Sequence, residues 1–516
     1  MNEALEGTVA GNSLRNEIGI WIDHFFPAAA LVPEVYAQWR PLVRDSMMFV
    51  VSRLSGARLA AKLAEQTNLP PGTSPELRLL RLIAQMPGLQ KLGQMLARNR
   101  HLHPSLRDAL CQLENGIRDV KFEDIRELIL NELGSRLGSY AVEVETTIFS
   151  EASVSAAVRF TWRNPYSRRR QRGIFKVLKP HIPVFFTEDL DLLRQLATFL
   201  SSKHAEYGFA TRIVPETFNE VQQLLQHELD FPCEQAALDE AQLLYRNVSG
   251  IRIPQLVRPL CTSKITAITE EQGEKVTEAV SHMSLWQRNR VAEQLIEALI
   301  AVPLFVAEGS TMFHADPHAG NLLYDARTSE LIILDWALTE RLSHEQQRHL
   351  ALLFLAVSLR DPASICKEIY GLNQDDSPDF ANTRAIRDSV IRFVTQLPLA
   401  RLTGSVDAMR LLEQLALNGV RFPSPLIMLR KVLFTLDDIL HEIAGSTVSM
   451  DFILARCLVR RWMANTETFG SPLSFTDWMA VQCSALFYGA RWWIQLTQSN
   501  LERAIGRPSG AIIPRV

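Results

Sequence analysis

The chain has 516 residues, of which 47% are hydrophobic and 22% are charged, a composition typical of a globular protein with a full core. That length accommodates two to four ordinary domains or one large two-lobed enzyme. The formal net charge is −3, so the overall charge does not favour a nucleic-acid partner, and any anion-binding site must be local. Six scattered cysteines form no Cys-x-x-Cys pair, which excludes a disulfide framework and a zinc pattern and fits a reducing cytosol.

The first 140 residues predict helices almost throughout. Residues 1–11 carry Glu3 and Glu6 but no basic residue, unlike a secretory signal. Apolar spacing predicts helices within 12–66, with one long apolar run at 47–63, and then a break at Pro70 to Pro75. Further helices are predicted at 76–84, after Pro104, and at 122–133 with its end at Gly134. The helix after Pro104 is predicted from the helical spacing of Leu106, Leu110 and Leu113.

Strand patterns begin near residue 142. The segments 142–149, 152–162 and 174–179 predict strands, and the last two form a β-hairpin that follows a loop of small residues. The hairpin tip, Arg168 to Arg172, is expected to be a solvated turn, with attraction to anionic lipid headgroups as the weaker interpretation. Helices are expected at 188–202 and 215–243, and further strands at 253–260 and 264–269.

The C-terminal half predicts helices on both sides of a short non-helical stretch. A long helix is expected at 284–308, and everything after Asp335 reads as helical. Ser343 and Gln346 have the spacing of a capping box. A regular apolar stripe follows, formed by Leu426, Leu429, Leu433, Leu436, Leu440 and Ile443. Polar residues interrupt the apolar segment 479–496, so we expect a buried or interfacial helix there and not a membrane span.

The stretch His314 to Asn321 and the later Asp335 have the layout of a phosphoryl-transfer site. Asp316 and Asn321 lie five positions apart, and Asp335 directly follows a short apolar strand. One carboxylate can orient a hydroxyl or water, while an Asn and a second carboxylate can hold Mg²⁺ on a nucleotide. Asp-Pro and Gly-Asn are also common in plain turns, but the combination of residue types and spacing favours the phosphoryl-transfer interpretation.

Lys176 is a candidate ligand for nucleotide phosphates. It lies in the middle of a short apolar strand, where a lysine must either reach solvent or pair with a carboxylate. Taken alone it would be an edge-strand lysine. The downstream order of Asp316, Asn321 and Asp335 favours the phosphate-binding role. Its candidate helix partners are Glu228, Asp230 and Glu234.

His314 and His318 are four positions apart, as in a helical zinc pair. Pro317 lies between them and excludes a helix. We therefore expect one histidine to brace the loop through backbone hydrogen bonds.

The order of these motifs resembles the UbiB/AarF/ADCK family of atypical kinases over roughly residues 75–445. The elements of the resemblance are Lys91-x-Gly93-Gln94, the small-residue loop, Lys176, Glu228-x-Asp230, the His314 to Asn321 motif and Asp335. The Lys-x-Gly-Gln helix and the Glu-x-Asp pair are specific to this family among kinase folds.

The resemblance implies an α+β, mostly helical chain with a bilobal, protein-kinase-like fold, an N-terminal helical extension and a helical C-terminal lobe. The implied divisions are an N-terminal helical segment (1–75), the Lys-x-Gly-Gln extension (76–140), a kinase-like N-lobe with inserted helices (141–270), a kinase-like C-lobe (271–450) and a C-terminal helical segment (451–516).

The resemblance also assigns roles residue by residue. It places the nucleotide against Lys176 and its partner Glu234, and against the loop residues Ala152, Ser153, Val154 and Ser155. It makes Asp316 the catalytic-loop aspartate, with Lys176 the other catalytic residue, and makes Asn321 and Asp335 the Mg²⁺ ligands of Mg·ATP. The extension residues are Lys91, Gln94, Glu228 and Asp230, which would occupy the place where a protein kinase takes its substrate.

The implied activity is that of an ATPase or a small-molecule or lipid kinase, associated with isoprenoid-quinone biosynthesis. The implied location is cytoplasmic and peripheral on the inner face of a membrane. Two alternatives stay open: a soluble kinase resembling the aminoglycoside phosphotransferases, which use a similar Ile-Asp-Trp, and a pseudokinase scaffold that binds nucleotide or lipid without turnover. The Lys91 helix disfavours the first. The sequence carries no signal for an oligomeric state.

Three segments depart from the family pattern. The loop usually reads Ala-Ala-Ala-Ser-Ile-small-Gln-Val-His, and here Ser150 to Val158 lacks the Gln and the His. Glu151 in this loop is expected to bring a negative charge towards the phosphates. Asp335-Trp336-Ala337 replaces Asp-Phe-Gly, and Ala319 replaces a proline.

Overall fold

The computed structural model describes residues 26–32, 34–97, 119–165, 168–208, 213–305, 309–373, 380–398, 403–464 and 472–504. The helix predicted from Leu106, Leu110 and Leu113 lies outside these residues. The chain divides into two compact units, one of residues 1–236 with 255–270 and one of residues 237–254 with 271–516. The five-part division expected from the sequence is finer than these units and remains a prediction.

The strands are short and form three small sheets. They are β1 (Glu143–Glu151), β2 (Ser155–Arg163), β3 (Arg170–Leu178), β4 (Ile251–Arg252), β5 (Ile265–Thr269), β6 (Glu274–Lys275), β7 (Thr311–His314), β8 (Leu322–Asp325), β9 (Glu330–Ile333) and β10 (Thr339–Leu342). The sheet orders are β1-β2-β3-β5, β4-β9-β8-β6 and β10-β7.

Helices make up most of the described chain. Those before residue 250 are α1 (Ala28–Leu31), α2 (Arg40–Arg53), α3 (Gly56–Asn68), α4 (Pro75–Ile83), α5 (Pro87–Ala97), α6 (Phe122–Leu133), α7 (Arg136–Ser139), α8 (Ile182–Ser202), α9 (His204–Tyr207), α10 (Ile213–Leu229) and α11 (Phe231–Tyr245). Those after it are α12 (Val276–Ala279), α13 (Leu285–Ile296), α14 (Val302–Leu304), α15 (His344–Leu359), α16 (Pro362–Leu372), α17 (Phe380–Gln396), α18 (Ser405–Leu417), α19 (Ser424–Ala444), α20 (Met450–Ala464) and α21 (Phe475–Ala504).

The described residues also contain shorter helical turns. The 3₁₀ turns are Glu34–Trp39, Arg258–Leu260, Val280–His282, Ala319–Asn321 and Gly445–Thr447, and a π turn spans Glu297–Ala301.

The first unit contains an antiparallel sheet with one apolar face. Phe175 and Val177 of β3 alternate with the half-exposed Lys176, because successive strand residues point to opposite faces. The apolar face packs against Ile125 and Ile129 of α6. Lys176 therefore projects from the opposite face.

A second apolar cluster of this unit is built from helices. Residues of α2, α5, α8 and α10 contribute to it, together with Phe26. Val154, in the loop between β1 and β2, and Leu178, at the end of β3, also belong to this cluster. The small-residue loop is thus packed onto the helical layer.

The second unit surrounds its two small sheets with long helices. β7 pairs with β10, and β8 pairs with β9 in the register Leu323 to Ile332. The stripe of α19 is buried over its whole length, from Leu426 to Ile443. This confirms the predicted apolar face.

Many elements predicted from the sequence are confirmed, including α4, α6 with its end at Gly134, and the hairpin of β2 and β3. The capping box of Ser343 and Gln346 is present at the start of α15.

Three predicted elements were wrong in extent or type. The 215–243 helix ends at Leu229, because Asp230 caps a new helix that has Pro232 in its first turn: the backbone N–H of Cys233 donates to Asp230 Oδ1 at 2.9 Å. Residues 253–260 contain two prolines and form no regular strand: only Arg258–Leu260 make a 3₁₀ turn, and Leu256 makes an isolated β-bridge to Ile268.

The third case is the 284–308 helix. It passes through the π turn before Pro303, which has no N–H to donate to the preceding turn. The segment after Asp335 was also expected to be entirely helical, but β10 lies there and pairs with β7.

The last helix, α21, carries Trp478 buried and several apolar side chains exposed. Within the described residues, no helix combines the length and the apolarity that crossing a bilayer requires. The side chains of Trp492 and Trp493 lie outside the described residues.

Candidate functional site

Lys176 and Glu234 form an ion pair within the first unit. The Lys176 Nζ lies 2.7 Å from Glu234 Oε1, and the glutamate side chain is 7% exposed against 20% for the lysine. Among the three carboxylates that the sequence offered as partners, Glu234 makes this contact. A lysine held in this way on a sheet face presents a fixed ammonium, as phosphate binding requires.

Lys91 of α5 pairs with Glu228 of α10. The second oxygen of the same carboxylate, Glu228 Oε2, accepts a hydrogen bond of 2.6 Å from Ser153 Oγ. One carboxylate thus joins the Lys-x-Gly-Gln helix to the small-residue loop. Asp230 lies outside this contact as the cap of α11, and the side chain of Gln94 lies outside the described residues.

The small-residue loop is a tight turn between β1 and β2. The Ala152 N–H donates to the Ser155 carbonyl at 2.8 Å, and the Lys179 N–H donates to the Val154 carbonyl at 2.9 Å. The side chains of Ser153, Val154 and Ser155 are buried, whereas Ala152 is exposed. A ligand at this turn would meet chiefly backbone and the methyl group of Ala152.

The expectation that Glu151 brings a negative charge towards the phosphates is wrong. Its carboxylate is buried, lies 3.2 Å from Lys179 Nζ, and accepts a hydrogen bond from the Asp119 N–H at 3.1 Å. Lys179 is fully buried and also pairs with Asp119 at 2.6 Å. Glu151 is therefore held inside the unit by Lys179, which it shares with Asp119, and by the Asp119 N–H, because a buried carboxylate needs a nearby cation and donors.

In the second unit, His314 braces the loop that carries Asp316, as predicted. Its Nε2 lies 3.0 Å from the Leu334 carbonyl, and its Nδ1 accepts from the Asp316 N–H at 3.2 Å. These contacts fix the neutral tautomer with the proton on Nε2. Burial lowers the pKa of His314, so the ring stays neutral at physiological pH.

Asn321 and Asp335 are brought together by the backbone. The Leu334 N–H donates to the Asn321 carbonyl at 2.8 Å, and Asn321 Nδ2 donates to the Asp316 carbonyl at 3.2 Å. Asp335 has φ of +52°, a left-handed conformation that Asp adopts more readily than most residues but that remains uncommon. Its side chain is exposed.

This donor set fits a magnesium ion. The amide nitrogen of Asn321 is used by Asp316, so the amide oxygen is the end directed away from that contact. Oxygen donors of this kind, shared with phosphate oxygens and water, are what Mg²⁺ prefers. Within the described ranges, no cluster of three or more His, Cys, Asp and Glu side chains could hold a metal unaided.

Two residues near this loop were not singled out from the sequence. Lys431 of α19 places its Nζ 3.4 Å from Asp316 Oδ1; a lysine beside a buried stripe gave no signal of a contact so distant in sequence. Trp336, noted only as a departure from Phe, is buried and packs edge-on against His314 at 5.1 Å. Its indole N–H donates to the Ile333 carbonyl at 3.3 Å. Trp336 therefore ties the loop that follows β9 to the end of that strand.

Comparison with known proteins identifies the family of this chain. Residues 112–369, half of the chain, match the family described as ABC1 atypical kinase-like domain. The chain is 26% identical to "Probable protein kinase UbiB" of Pasteurella multocida over 281 residues, which cover 52% of each protein. It is 24% identical to "Protein ACTIVITY OF BC1 COMPLEX KINASE 7, chloroplastic" of Arabidopsis thaliana over 358 residues, 68% of this chain and 50% of the relative.

The matches span about half the length of these curated relatives. Among solved structures, a complex of Rv3197 with erythromycin from Mycobacterium tuberculosis aligns with a TM-score of 0.44 at 16% identity, covering 76% of this chain and 95% of that one. The predicted resemblance to the UbiB/AarF/ADCK kinases and the mostly helical, kinase-like fold class are confirmed by the family match. This chain belongs to the ABC1 atypical kinase-like family.

Proposed function

We propose that this protein binds Mg·ATP and transfers its γ-phosphoryl group to a small-molecule or lipid hydroxyl, or to water. The observation that carries the proposal is the hydrogen-bonded linkage of Asp316, Asn321 and the Leu334–Asp335 segment. The Lys176–Glu234 pair of the first unit supports it, since a paired lysine is the usual phosphate ligand of kinase folds.

Each residue has one task in this proposal. Lys176 contacts phosphate oxygens, and Asn321 and Asp335 hold Mg²⁺, which when bound neutralises charge on the phosphates. Asp316 orients the acceptor hydroxyl or water towards the γ-phosphorus. The acceptor oxygen forms a bond to phosphorus, the bond to the β,γ-bridging oxygen breaks, and ADP leaves with that electron pair. The acceptor proton passes through Asp316 to solvent.

A small molecule or lipid is favoured over a protein acceptor. Lys91 of the extension is held by Glu228, which also holds Ser153 of the small-residue loop. A helix fixed in this manner does not move aside at low cost, because displacing it would expose a paired, partly buried charge. An isoprenoid-quinone precursor is the acceptor class that the resemblance suggests. Ready phosphorylation of generic proteins in trans would contradict this part.

The last helix supports contact with a membrane surface. Phe475, Met479, Leu486, Phe487 and Ile494 are all exposed. At 100° per residue they fall within about a third of the helix circumference, so they form one apolar stripe. Such a stripe can lie in the boundary between headgroups and acyl chains, which would place the protein peripherally on a bilayer.

The test is a phosphate-release assay on the full chain, with and without liposomes that contain a quinone-precursor lipid. We expect Mg²⁺-dependent release that liposomes stimulate, and its loss in Asp335→Asn. Leu486→Ser with Phe487→Ser should remove the liposome stimulation and leave the basal rate.

Other outcomes would favour the alternatives. Mg·ATP binding without release under any condition would support a pseudokinase scaffold, whereas turnover that Asp335→Asn abolishes excludes it. Release that depends on a soluble hydroxyl compound and ignores liposomes would support the soluble small-molecule kinase.

A further inference from the structure

The carboxylate of Asp316 has neighbours of its own, apart from the contacts that fix the backbone of its loop. Lys431 Nζ lies 3.4 Å from Oδ1, and His318 Nε2 lies 4.0 Å from Oδ2. The backbone of Asp316 is fixed on both sides, by His314 at its N–H and by Asn321 at its carbonyl. These backbone contacts leave the side-chain torsions undetermined, so the groups beside the carboxylate decide which way it points.

The helix that carries Lys431 is firmly anchored. Leu429, Val432 and Leu433 are buried, which holds the turn around Lys431 against the core of the second unit. Arg430 pairs with Glu413 of α18, so the neighbouring cation serves a different carboxylate. Ser424 at the start of α19 contacts Glu340 of β10, the strand paired with β7. The helix and the loop of Asp316 thus share one framework.

Stability does not explain the contact between Lys431 and Asp316. Each side chain is 25% exposed, and an ion pair open to solvent contributes roughly 0–1 kcal/mol. Its position is what distinguishes it, because Asp316 is the residue that orients the acceptor in the proposed reaction. A misplacement of about 1 Å at such a residue can cost roughly a hundredfold in rate.

We propose that Lys431 is a positioning residue for phosphoryl transfer, which holds Asp316 through Oδ1 so that Oδ2 is presented to the acceptor oxygen. This inference rests on the proposed function. It adds a contribution from α19, a helix that none of the assigned motifs includes. It also predicts that the acceptor approaches Asp316 from the side opposite Lys431, beside His318.

The test compares steady-state phosphate release by the full chain in five forms: wild type, Lys431→Met, Lys431→Arg, Asp316→Asn, and Asp316→Asn with Lys431→Met. Arg430→Met is the matched control, since it removes the adjacent positive charge from the same helix. We expect Lys431→Met to lower kcat roughly 10- to 100-fold with the KM for ATP changed less than about twofold. Lys431→Arg should restore most of kcat, and Arg430→Met should match the wild type.

The double variant separates positioning from a general structural effect. If Lys431 acts through Asp316, its removal adds little once Asp316→Asn has removed the carboxylate charge. A kcat in Lys431→Met equal to that of the wild type overturns the inference, as does a loss that is fully additive with Asp316→Asn. A drop in kcat that Lys431→Arg does not restore, together with a lowered melting temperature in both, overturns it too.

A failure of the proposed function would give a different pattern of results from a failure of the Lys431 inference alone. If the wild type itself shows no Mg²⁺-dependent release, both the proposed function and this inference are overturned. If the wild type turns over and Lys431→Met is unaffected, the proposed function stands and only the role of Lys431 falls.

Discussion

Lys176 combines a stabilising contact with its proposed role at the phosphates. Glu234 is buried beside it, so removing the ammonium leaves a carboxylate in a site where its charge is poorly solvated. Removing the Glu234 carboxylate should destabilise the fold less, because a lysine that is 20% exposed can still reach water with its ammonium. The pair therefore predicts unequal effects for its two single substitutions.

Lys176→Met should lower the free energy of unfolding by roughly 3 kcal/mol, and Lys176→Met with Glu234→Gln should recover part of that loss. Urea unfolding followed by circular dichroism measures both. Lys264→Met is the control: it breaks the exposed pair with Glu132 in the same unit and should cost under about 1 kcal/mol. Equal stability of the single and double Lys176 variants would contradict the argument.

The buried His181 should make the free energy of unfolding depend on pH. Burial lowers the pKa of its imidazole to about 4; Asp119 opposes this shift and Lys179 adds to it. The unfolded chain takes up this proton near pH 6.5, whereas the folded chain does so only near pH 4. Stability is therefore lost as the pH falls from about 6.5, and the loss levels off below about 4.

The expected contribution of His181 is on the order of 2–3 kcal/mol across that window. Melting temperatures of His181→Gln between pH 7 and pH 4 should fall less steeply than those of the wild type. His282→Gln replaces an exposed histidine and should keep the wild-type slope. If the melting temperatures of His181→Gln and the wild type fall in parallel with pH, this side chain is not the source of the pH dependence.

Among the helices, α21 is held to α15 by one buried carboxylate. Arg348 Nε donates to Asp477 Oδ2 at 2.8 Å, and Ser474 donates its hydroxyl to the same oxygen at 2.7 Å. Burial would raise the pKa of Asp477, but Arg348 and Ser474 bring it down to about 2. Because this value lies below the ordinary 3.8, the stabilisation is present above about pH 4 and is lost as the pH falls towards 2.

Asp477→Asn should loosen α21 by on the order of 1 kcal/mol at pH 7, after allowance for solvent screening of the half-exposed arginine. Hydrogen exchange measures this as faster exchange in the first turns of α21 while α13 stays protected. Gln482→Ala, at an exposed position of the same helix, is the control. Unchanged exchange in Asp477→Asn would contradict the assigned role of the Arg348 pair.

The helices also show what sequence patterns can predict. The stripe of α19 was predicted because buried helical residues recur at three- and four-residue spacing. The strand β10 was missed because its four residues, Thr339–Leu342, bury only Leu342 and carry no alternation strong enough to oppose the flanking helical pattern. The break at Asp230 had a local signal, Asp-x-Pro, which is typical of a capped helix start.

The residues of the candidate site also differ in whether a local sequence pattern could predict them. The proximity of Asp316, Asn321 and Asp335 was predictable because their spacing reflects a local loop and the strand that follows it. Lys431 was not, because its contact with Asp316 depends on how α19 packs in the second unit. Glu151 was misread for a related reason: its partners Lys179 and Asp119 are set by packing, and no local pattern indicates which charges will be buried together.

Across the whole chain, each of the two units carries part of the proposed machinery. The first holds Lys176 with Glu234 and the Lys91–Glu228–Ser153 contact. The second holds the loop of Asp316 and Asn321 together with Asp335. The proposed function requires Asn321 and Asp335 of the second unit to hold the Mg²⁺ of Mg·ATP, and the family match supports nucleotide use whatever the acceptor.

The most direct measurement is the affinity for ATP by titration calorimetry, with and without Mg²⁺, in the wild type and Asp335→Asn. We predict that Mg²⁺ strengthens ATP binding to the wild type at least about tenfold, which corresponds to ~1.4 kcal/mol, and that Asp335→Asn loses this enhancement. Asp388→Asn, which alters an exposed carboxyl on α17, should behave as the wild type. An unchanged affinity for Mg·ATP in Asp335→Asn would contradict the assignment of Asp335 as a Mg²⁺ ligand.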